Sequence, residues 1–252
     1  MSLTVDAKPT LVLLHGWGYD KACWPSSMLE QLELTYQLIM VDLPGHGDDV
    51  FIADNRSCIE QLDQWIISTK SHLPSHYHLL GWSLGGQIAI RMAHGDDRIK
   101  SLALMATNPK FICNGHWPKA MSKELLTQFE RDYQTIPGKT LRRFASLQAQ
   151  GCTKPKTQAA QLAMLMHEQP QKAFGLQLLR ELDERNHLSQ LSQPCFIELA
   201  QDDILVPWQW VSQITLPDTA QINYVAGGHS YLLERGSVET AMVKFFQNRT
   251  GP

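Results

Sequence analysis

The sequence predicts an α/β fold: a mostly parallel sheet with helices on both faces and an inserted cap of four helices. Three observations lead there. Apolar runs of strand length alternate with helix-forming stretches from residue 11 to about 109, the pattern of strand–helix–strand crossovers. After the strand expected at 99–105, no convincing strand follows until 195, and the interval is helical in character. Strand character then returns at 195–199 and 222–225, so the helical interval is inserted within one sheet. The expected division is a core of 1–109 and 191–252 with a cap of 110–190, all in one folding unit. A chain of 252 residues with 43% hydrophobic content can bury one sizeable core without splitting.

Each element has its own reason. The run 11–14 (Leu-Val-Leu-Leu) is compact and apolar, as a strand buried on both faces requires. Few residues precede it, so an N-terminal β-hairpin would be abbreviated. It runs into His15, Gly16, Trp17 and Gly18, whose glycines let a backbone N–H turn inward. The second strand, 38–41, ends in Asp42-Leu43-Pro44-Gly45-His46-Gly47, and the third, 77–80, ends in Gly81-Trp82-Ser83-Leu84-Gly85. Good helix formers occupy 87–93, and 99–105 supplies a fourth strand. In the cap, Leu125, Leu126, Phe129 and Tyr133 recur at helical spacing. Phe144 with Leu147, then Leu162, Leu165 and Met166, then Phe174, Leu178 and Leu179 mark three more helices. Breakers at Pro137-Gly138, Gly151-Cys152 and Pro170 separate the four. A closing helix is expected at 238–246.

The loops at the strand ends carry the chemistry. A serine between glycines, where a strand turns straight into a helix, sits on a strained corner with its hydroxyl pushed outward. Side chains at 81 and 85 would collide there, which accounts for both glycines. Acyl transfer needs a base, an acid that orients the base, and donors for the oxyanion. The acid is expected just past strand 195–199. Asp203 and Asp202 both stand there, and the spacing to Leu205-Val206-Pro207 favours Asp203. The base is His229, which follows strand 222–225 and two glycines that let its loop swing over the sheet. Backbone N–H groups of Trp17 and Leu84 are the expected oxyanion donors. Ser83, Asp203 and His229 thus lie at C-terminal strand ends, where open α/β sheets place their sites.

With H-G-W-G, D-L-P-G-H-G, G-W-S-L-G-G, D-x-L-V-P and G-G-H in this order, the chain resembles the α/β-hydrolase superfamily. Trp82 beside the serine, Trp17, and the cap stretch Phe144, Ala145, Ser146, Leu147 and Gln148 make it similar to the BioH-type pimeloyl-[acyl-carrier protein] methyl ester esterases. The similarity spans roughly residues 11 to 246. That resemblance implies a serine carboxylesterase of biotin synthesis that takes a methyl ester from a carrier-bound pimeloyl chain and needs no metal or organic cofactor. It also implies that Trp17, Ser83, Leu84 and residues 144–148 bind substrate. Two departures stand out: Ala200 where relatives often carry glycine, and Asp48-Asp49 after the P-G-H-G turn. A general carboxylesterase on small free esters and a non-catalytic hydrolase-fold binding protein stay open, as do C–C bond cleavage and perhydrolysis by the same three residues.

Charge adds a partner. The net charge of -3 conceals a cap with twelve Lys/Arg against seven Asp/Glu, while the remainder is acidic. Lys139, Arg142, Arg143, Lys154 and Lys156 form a stripe with no acidic residue between Tyr133 and His167. A solvated helical face is the ordinary reading of such a run. Its position over the site points instead to an anionic partner, with Lys139, Arg142, Arg143 and Lys156 the candidate docking residues for acidic acyl-carrier protein. No nucleic-acid or membrane partner is expected. Mean hydropathy of -0.23, no bilayer-length apolar run and no signal-like start suggest a soluble cytoplasmic monomer. Five cysteines, an odd number without paired spacing, suit reduced thiols. Clustered His72, His76 and His78 lack a metal-ligand pattern and suit a surface loop leading into a strand, while His15 and His46 are expected to pack loops. Some of Phe111, Trp117, Phe129 and Phe144 should face the cleft between cap and sheet.

Overall fold

The computed structural model describes residues 8–49, 51, 53–234 and 241–248. Six parallel strands form one sheet in the order β2-β1-β3-β4-β5-β6. They are β1 (Thr10–Leu14), β2 (Gln37–Val41), β3 (Tyr77–Trp82), β4 (Ile99–Met105), β5 (Cys195–Ala200) and β6 (Ala220–Val225). In the core, α1 (Ser26–Glu33) precedes β2, α2 (Cys58–Ser71) precedes β3, and α3 (Leu84–Ala93) joins β3 to β4. Every residue of β1, β3 and β5 is buried, which is why these strands read as continuous apolar runs rather than alternating ones.

Between β4 and β5 lie α4 (Lys123–Thr135), α5 (Pro137–Gln148), α6 (Pro155–Leu165), α7 (Ala173–Glu181) and α8 (Arg185–Ser189). The first four match the helices read from the apolar spacing. The fifth is too short to show a periodic face. Pro137 starts α5 rather than merely ending α4, because its fixed φ and missing N–H suit the first helical position. Leu125 departs from the expected inward face and is exposed, while Leu126 and Tyr133 are buried. Residues 126, 129 and 133 share one stripe of the helix, and 125 is rotated out of it.

Two short helices close the described chain, α9 (Tyr231–Glu234) and α10 (Ala241–Gln247). The expected closing helix overlaps α10; its first residues, 238–240, lie outside the described residues, as does the stretch that an N-terminal hairpin would occupy. Among the described residues no helix is long and apolar enough to cross a membrane.

The strand order fixes where a site can form. β1 lies between β2 and β3, so the chain reverses its direction of travel across the sheet there, opening a crevice at the strands' C-terminal ends. Leu14 of β1 pairs with Gly81 of β3, so the loops leaving both strands emerge side by side.

Candidate active site

Ser83 occupies the corner between β3 and α3 with φ 55 and ψ -117, a region that a residue with a Cβ enters only under strain. The glycines relieve the crowding. A Cβ on Gly81 would stand 2.5 Å from the Gly85 carbonyl oxygen, and one on Gly85 would strike the Leu14 and His15 carbonyl oxygens. From Tyr77 to Ile90 every residue but Ser83 is buried. The corner thus turns one hydroxyl outward from an otherwise closed element.

Three distant side chains meet there. The Ser83 hydroxyl lies 3.0 Å from His229 Nε2, and His229 Nδ1 lies 2.7 Å from Asp203 Oδ2. The other carboxylate oxygen, Asp203 Oδ1, accepts the N–H groups of Leu205 and Val206 at 2.8 and 2.9 Å. Those two donors leave Oδ2 facing the imidazole, so Nδ1 carries the proton and Nε2 is free to accept from Ser83. Asp203 is 6% exposed, whereas Asp202 is exposed and turned away. Ala200 causes no disturbance: it is buried, and its carbonyl accepts the Asp203 N–H at 3.4 Å.

The loop after β1 lies against the serine. A Cβ on Gly16 would sit 3.4 Å from Ser83 Cβ. The N–H groups of Trp17 and Leu84, the expected oxyanion donors, have no hydrogen-bond partner among the described residues. His15 and His46 pack loops, as expected, and also orient them. His15 Nε2 accepts the Leu43 N–H at 3.1 Å, so Nδ1–H donates to the Gly16 carbonyl at 2.8 Å. His46 Nε2 accepts the Gly18 N–H at 3.3 Å while Nδ1–H donates to the Pro44 carbonyl at 3.0 Å. Burial lowers the pKa of His15 to about 4 and that of His46 well below its usual value, which keeps both neutral.

Beyond Trp17 and Leu205 lies a narrow apolar cleft of about 30 Å³, lined also by Phe111, Phe129, Phe144 and Leu147. Three of the four cap aromatics face it. Trp117 instead is buried against Trp210 and donates its indole N–H to the Lys110 carbonyl.

Of the stretch 144–148, Phe144 and Leu147 line the cleft and the other three do not. Ala145 is buried within the cap, and Ser146 is exposed with its hydroxyl donating to the Arg142 carbonyl. Gln148 is buried as a tether. Its Oε1 accepts from the Tyr19 hydroxyl at 3.2 Å, and its carbonyl accepts the Ser230 N–H at 3.3 Å. A helical stretch cannot present five consecutive side chains to one cleft.

Lys139, Arg142, Arg143 and Lys156 are all exposed. Arg143 leans on Asp132 at 3.6 Å, and the other three form no ion pair among the described residues. The histidine cluster does not converge. His78 lies in the buried strand, as the reading of 77–80 expected, with Nδ1 2.7 Å from the Ser101 hydroxyl. Among the described residues no group of three His, Cys, Asp or Glu could hold a metal ion.

Two features escaped the sequence. Asp49 accepts the Gly45 N–H and the Trp65 indole N–H, clipping the P-G-H-G turn to α2. Lys172, one lysine among many in a helical interval, is fully buried against the Trp17 loop. No local pattern marks either one.

Such an arrangement can deprotonate a serine, attack a carbonyl and stabilise the resulting oxyanion. The alpha/beta hydrolase fold family matches residues 9–236. A pimeloyl-[acyl-carrier protein] methyl ester esterase from Nitrosomonas europaea is 34% identical over 239 residues, covering 91% of this chain and 92% of that protein. A protein of the same name from Aeromonas salmonicida is 35% identical, covering 94% and 92%. Among solved structures, a bromoperoxidase from Bacillus anthracis superposes with a TM-score of 0.80 over 96% of this chain and 92% of that one, at 17% identity, which speaks for the fold alone. By sequence, sheet order and relatives, the chain belongs to the α/β-hydrolase superfamily and, within it, to the family of pimeloyl-[acyl-carrier protein] methyl ester esterases.

Proposed function

We propose that this protein is a serine carboxylesterase that hydrolyses the methyl ester of pimeloyl-[acyl-carrier protein] to pimeloyl-[acyl-carrier protein] and methanol in biotin biosynthesis. The observation that carries the reading is the unbroken Ser83–His229–Asp203 hydrogen-bond line in a chain 34–35% identical to proteins of that name.

His229 Nε2 takes the Ser83 proton as Oγ attacks the ester carbonyl, and Asp203 steadies the imidazolium. The oxyanion is met by the Trp17 and Leu84 N–H groups, each worth about 3 kcal/mol in comparable sites. Collapse expels the methoxy group, which takes the proton from His229 and leaves as methanol. Water then gives a proton to His229 and its hydroxyl to the acyl-enzyme, freeing the carboxylic acid and restoring Ser83. The acyl chain lies along Phe144 and Leu147. A cleft of about 30 Å³ holds little more than a water molecule, so these side chains shift as the chain enters.

The cap, residues 110–190, folds with the core as one unit and presents Lys139, Arg142, Arg143 and Lys156 to the acidic carrier. All five cysteines are free, as in a reducing compartment, and the enzyme acts as a cytoplasmic monomer without metal or organic cofactor.

The test is mass spectrometry of methyl pimeloyl-carrier protein incubated with the enzyme. Wild type should remove the methyl group, and Ser83→Ala should not. Hydrolysis of small methyl esters with the carrier-bound ester untouched would make the protein a general carboxylesterase. Failure to hydrolyse either, with no fluorophosphonate labelling of Ser83, would make it a binding protein.

A further inference from the structure

Lys172, at the end of the 3-10 turn Pro170–Lys172, is 0% exposed. Its ammonium donates to two neutral partners, the Gly18 carbonyl at 2.8 Å and the His167 carbonyl at 2.9 Å. Enclosing a charge without a paired carboxylate is costly. Burial lowers its pKa to about 8, against the opposing pull of Asp20 and Asp42. A methionine would fill much the same space without that penalty, so stability alone gives little reason for a lysine here.

What the ammonium holds supplies the reason. Three backbone groups of the loop after β1, on Gly16 and Gly18, are pinned by side chains. His15 holds the Gly16 carbonyl, His46 holds the Gly18 N–H, and Lys172 holds the Gly18 carbonyl. In a trans peptide the carbonyl and the N–H point in opposite directions. Fixing the Gly16 carbonyl therefore aims the Trp17 N–H, and fixing Gly18 keeps that peptide from rotating. Both histidines belong to core loops, whereas Lys172 belongs to the cap. The Trp17 side chain is bound to the cap as well. Its indole N–H donates to the Lys172 carbonyl at 2.9 Å, and its ring meets Phe129, Tyr133 and Phe144 edge-on. A Cβ on Gly175 would lie 2.7 Å from the Trp17 ring, so α7 carries glycine where the indole rests.

We propose that Lys172 is a positioning residue for the oxyanion loop: its buried ammonium ties the Gly18 carbonyl to the cap and so keeps the Trp17 N–H in the direction that the His15–Gly16 bond gives it. This rests on the esterase reading above, because only an oxyanion gives that direction a consequence. Seating the cap and aiming the donor become one event.

The experiment compares Lys172→Met with Arg180→Met in the full-length enzyme. Arg180 pairs with Glu130 inside the cap and does not reach the loop. Lys172→Met should lower kcat about 10–100-fold, the scale of a misaimed donor, with KM within about twofold and Tm within a few degrees. Affinity for an acyl trifluoromethyl ketone, which adds to Ser83 and leaves its oxyanion in the same hole, should fall by the same factor as kcat/KM. Arg180→Met should lower Tm and leave kcat and ketone affinity unchanged. Unchanged kcat and ketone affinity in Lys172→Met, with wild type active, would overturn the proposal and leave the esterase reading standing. Parallel losses of Tm and kcat in both variants would reduce Lys172 to ordinary packing and overturn it too. An inert wild type overturns both readings. Should Lys172→Met not fold, Lys172→Gln (shorter, still a donor) replaces it, and full activity in that variant counts against the role.

Discussion

Asp203→Asn isolates the orientation of His229 from its mere presence. The substituted amide has two ways to sit. With its oxygen kept on the Leu205 and Val206 N–H groups, now 2.8 and 2.9 Å from Asp203 Oδ1, its NH₂ faces His229 Nδ1. The imidazole must then accept at Nδ1 and carry its proton on Nε2, pointing it at Ser83 and abolishing the base. With the amide flipped, the correct tautomer survives, but two buried backbone donors face an NH₂. Each unsatisfied buried donor costs about 1–3 kcal/mol, so the flip is disfavoured by about 2–6 kcal/mol and the wrong tautomer prevails. Comparable triads lose about 10⁴-fold in kcat for this change, which is about 5 kcal/mol of barrier. Methanol release at neutral pH measures it, with circular dichroism confirming the fold. Asp202→Asn, at the exposed neighbour, should stay within about twofold. A loss of less than about tenfold in folded Asp203→Asn would refute the argument that the two backbone donors dictate the amide's orientation.

Three further outcomes are expected. Phe144→Ala removes one wall of the apolar cleft proposed to hold the acyl chain, and each methylene contact there is worth up to about 0.8 kcal/mol. The ratio of kcat/KM for a seven-carbon acyl ester over an acetate ester should drop several-fold; an unchanged ratio would place the chain elsewhere. Charge reversal at Arg142 and Arg143 should weaken turnover of carrier-bound ester, more so at low salt, and spare small soluble esters; equal losses on both would argue against docking. Burial lowers the pKa of His15 and of His78 to about 4, and that of His46 well below its usual value. Above pH about 6.5 both the folded and unfolded chains keep these imidazoles neutral, and the stability they allow is fully present. As the pH falls from there toward 4 the unfolded chain binds protons that the fold refuses, so stability declines, by about 3 kcal/mol for His15 alone. Urea unfolding midpoints should therefore drop between pH 7 and pH 4.5, and a flat profile would show these rings to be protonated in the fold.

The parts of the site that could be read in advance are those whose cause is local. Glycine at 81 and 85 answers a clash within one strand–helix corner, so five residues suffice to expose it. Ser83, Asp203 and His229 each follow a strand, and a parallel sheet gathers such ends at one edge. Where the cause spans the fold, the sequence is silent. Lys172 looks like a solvated lysine until the Gly18 carbonyl, far away in the chain, closes over it. Ser146 resembles a substrate contact in the motif, yet the turn of α5 points it at solvent. The burial of His78 was legible, since it falls within the apolar strand 77–80, but its Ser101 partner on the neighbouring strand was not.

The basic stripe shows how much of a docking argument the helix itself supplies. On α5 a period of 3.6 sends Lys139, Arg142, Arg143 and Ser146 outward, while Leu141, Phe144 and Gln148 turn toward the protein. Any amphipathic cap helix would sort charge from apolar surface this way, so segregation alone argues for no partner. Counter-charge is the other consideration. Several cations elsewhere are matched: Arg91 with Asp63 and Glu184, Arg98 with Asp96, Lys110 with Asp183, and Arg180 with Glu130. Along the stripe Arg143 has only a solvent-screened contact to Asp132, worth at most about 1 kcal/mol. Lys139, Arg142 and Lys156 have no ion-pair partner among the described residues. Unpaired lysines occur elsewhere as well (Lys100 donates only to the Asp97 carbonyl), so what sets the stripe apart is the lack of any acidic residue between Tyr133 and His167. The same helix ends in the Gln148 carbonyl that accepts the Ser230 N–H, one residue from His229. If the carrier docks on its outer face as proposed, it would press on an element already joined to the loop that bears His229.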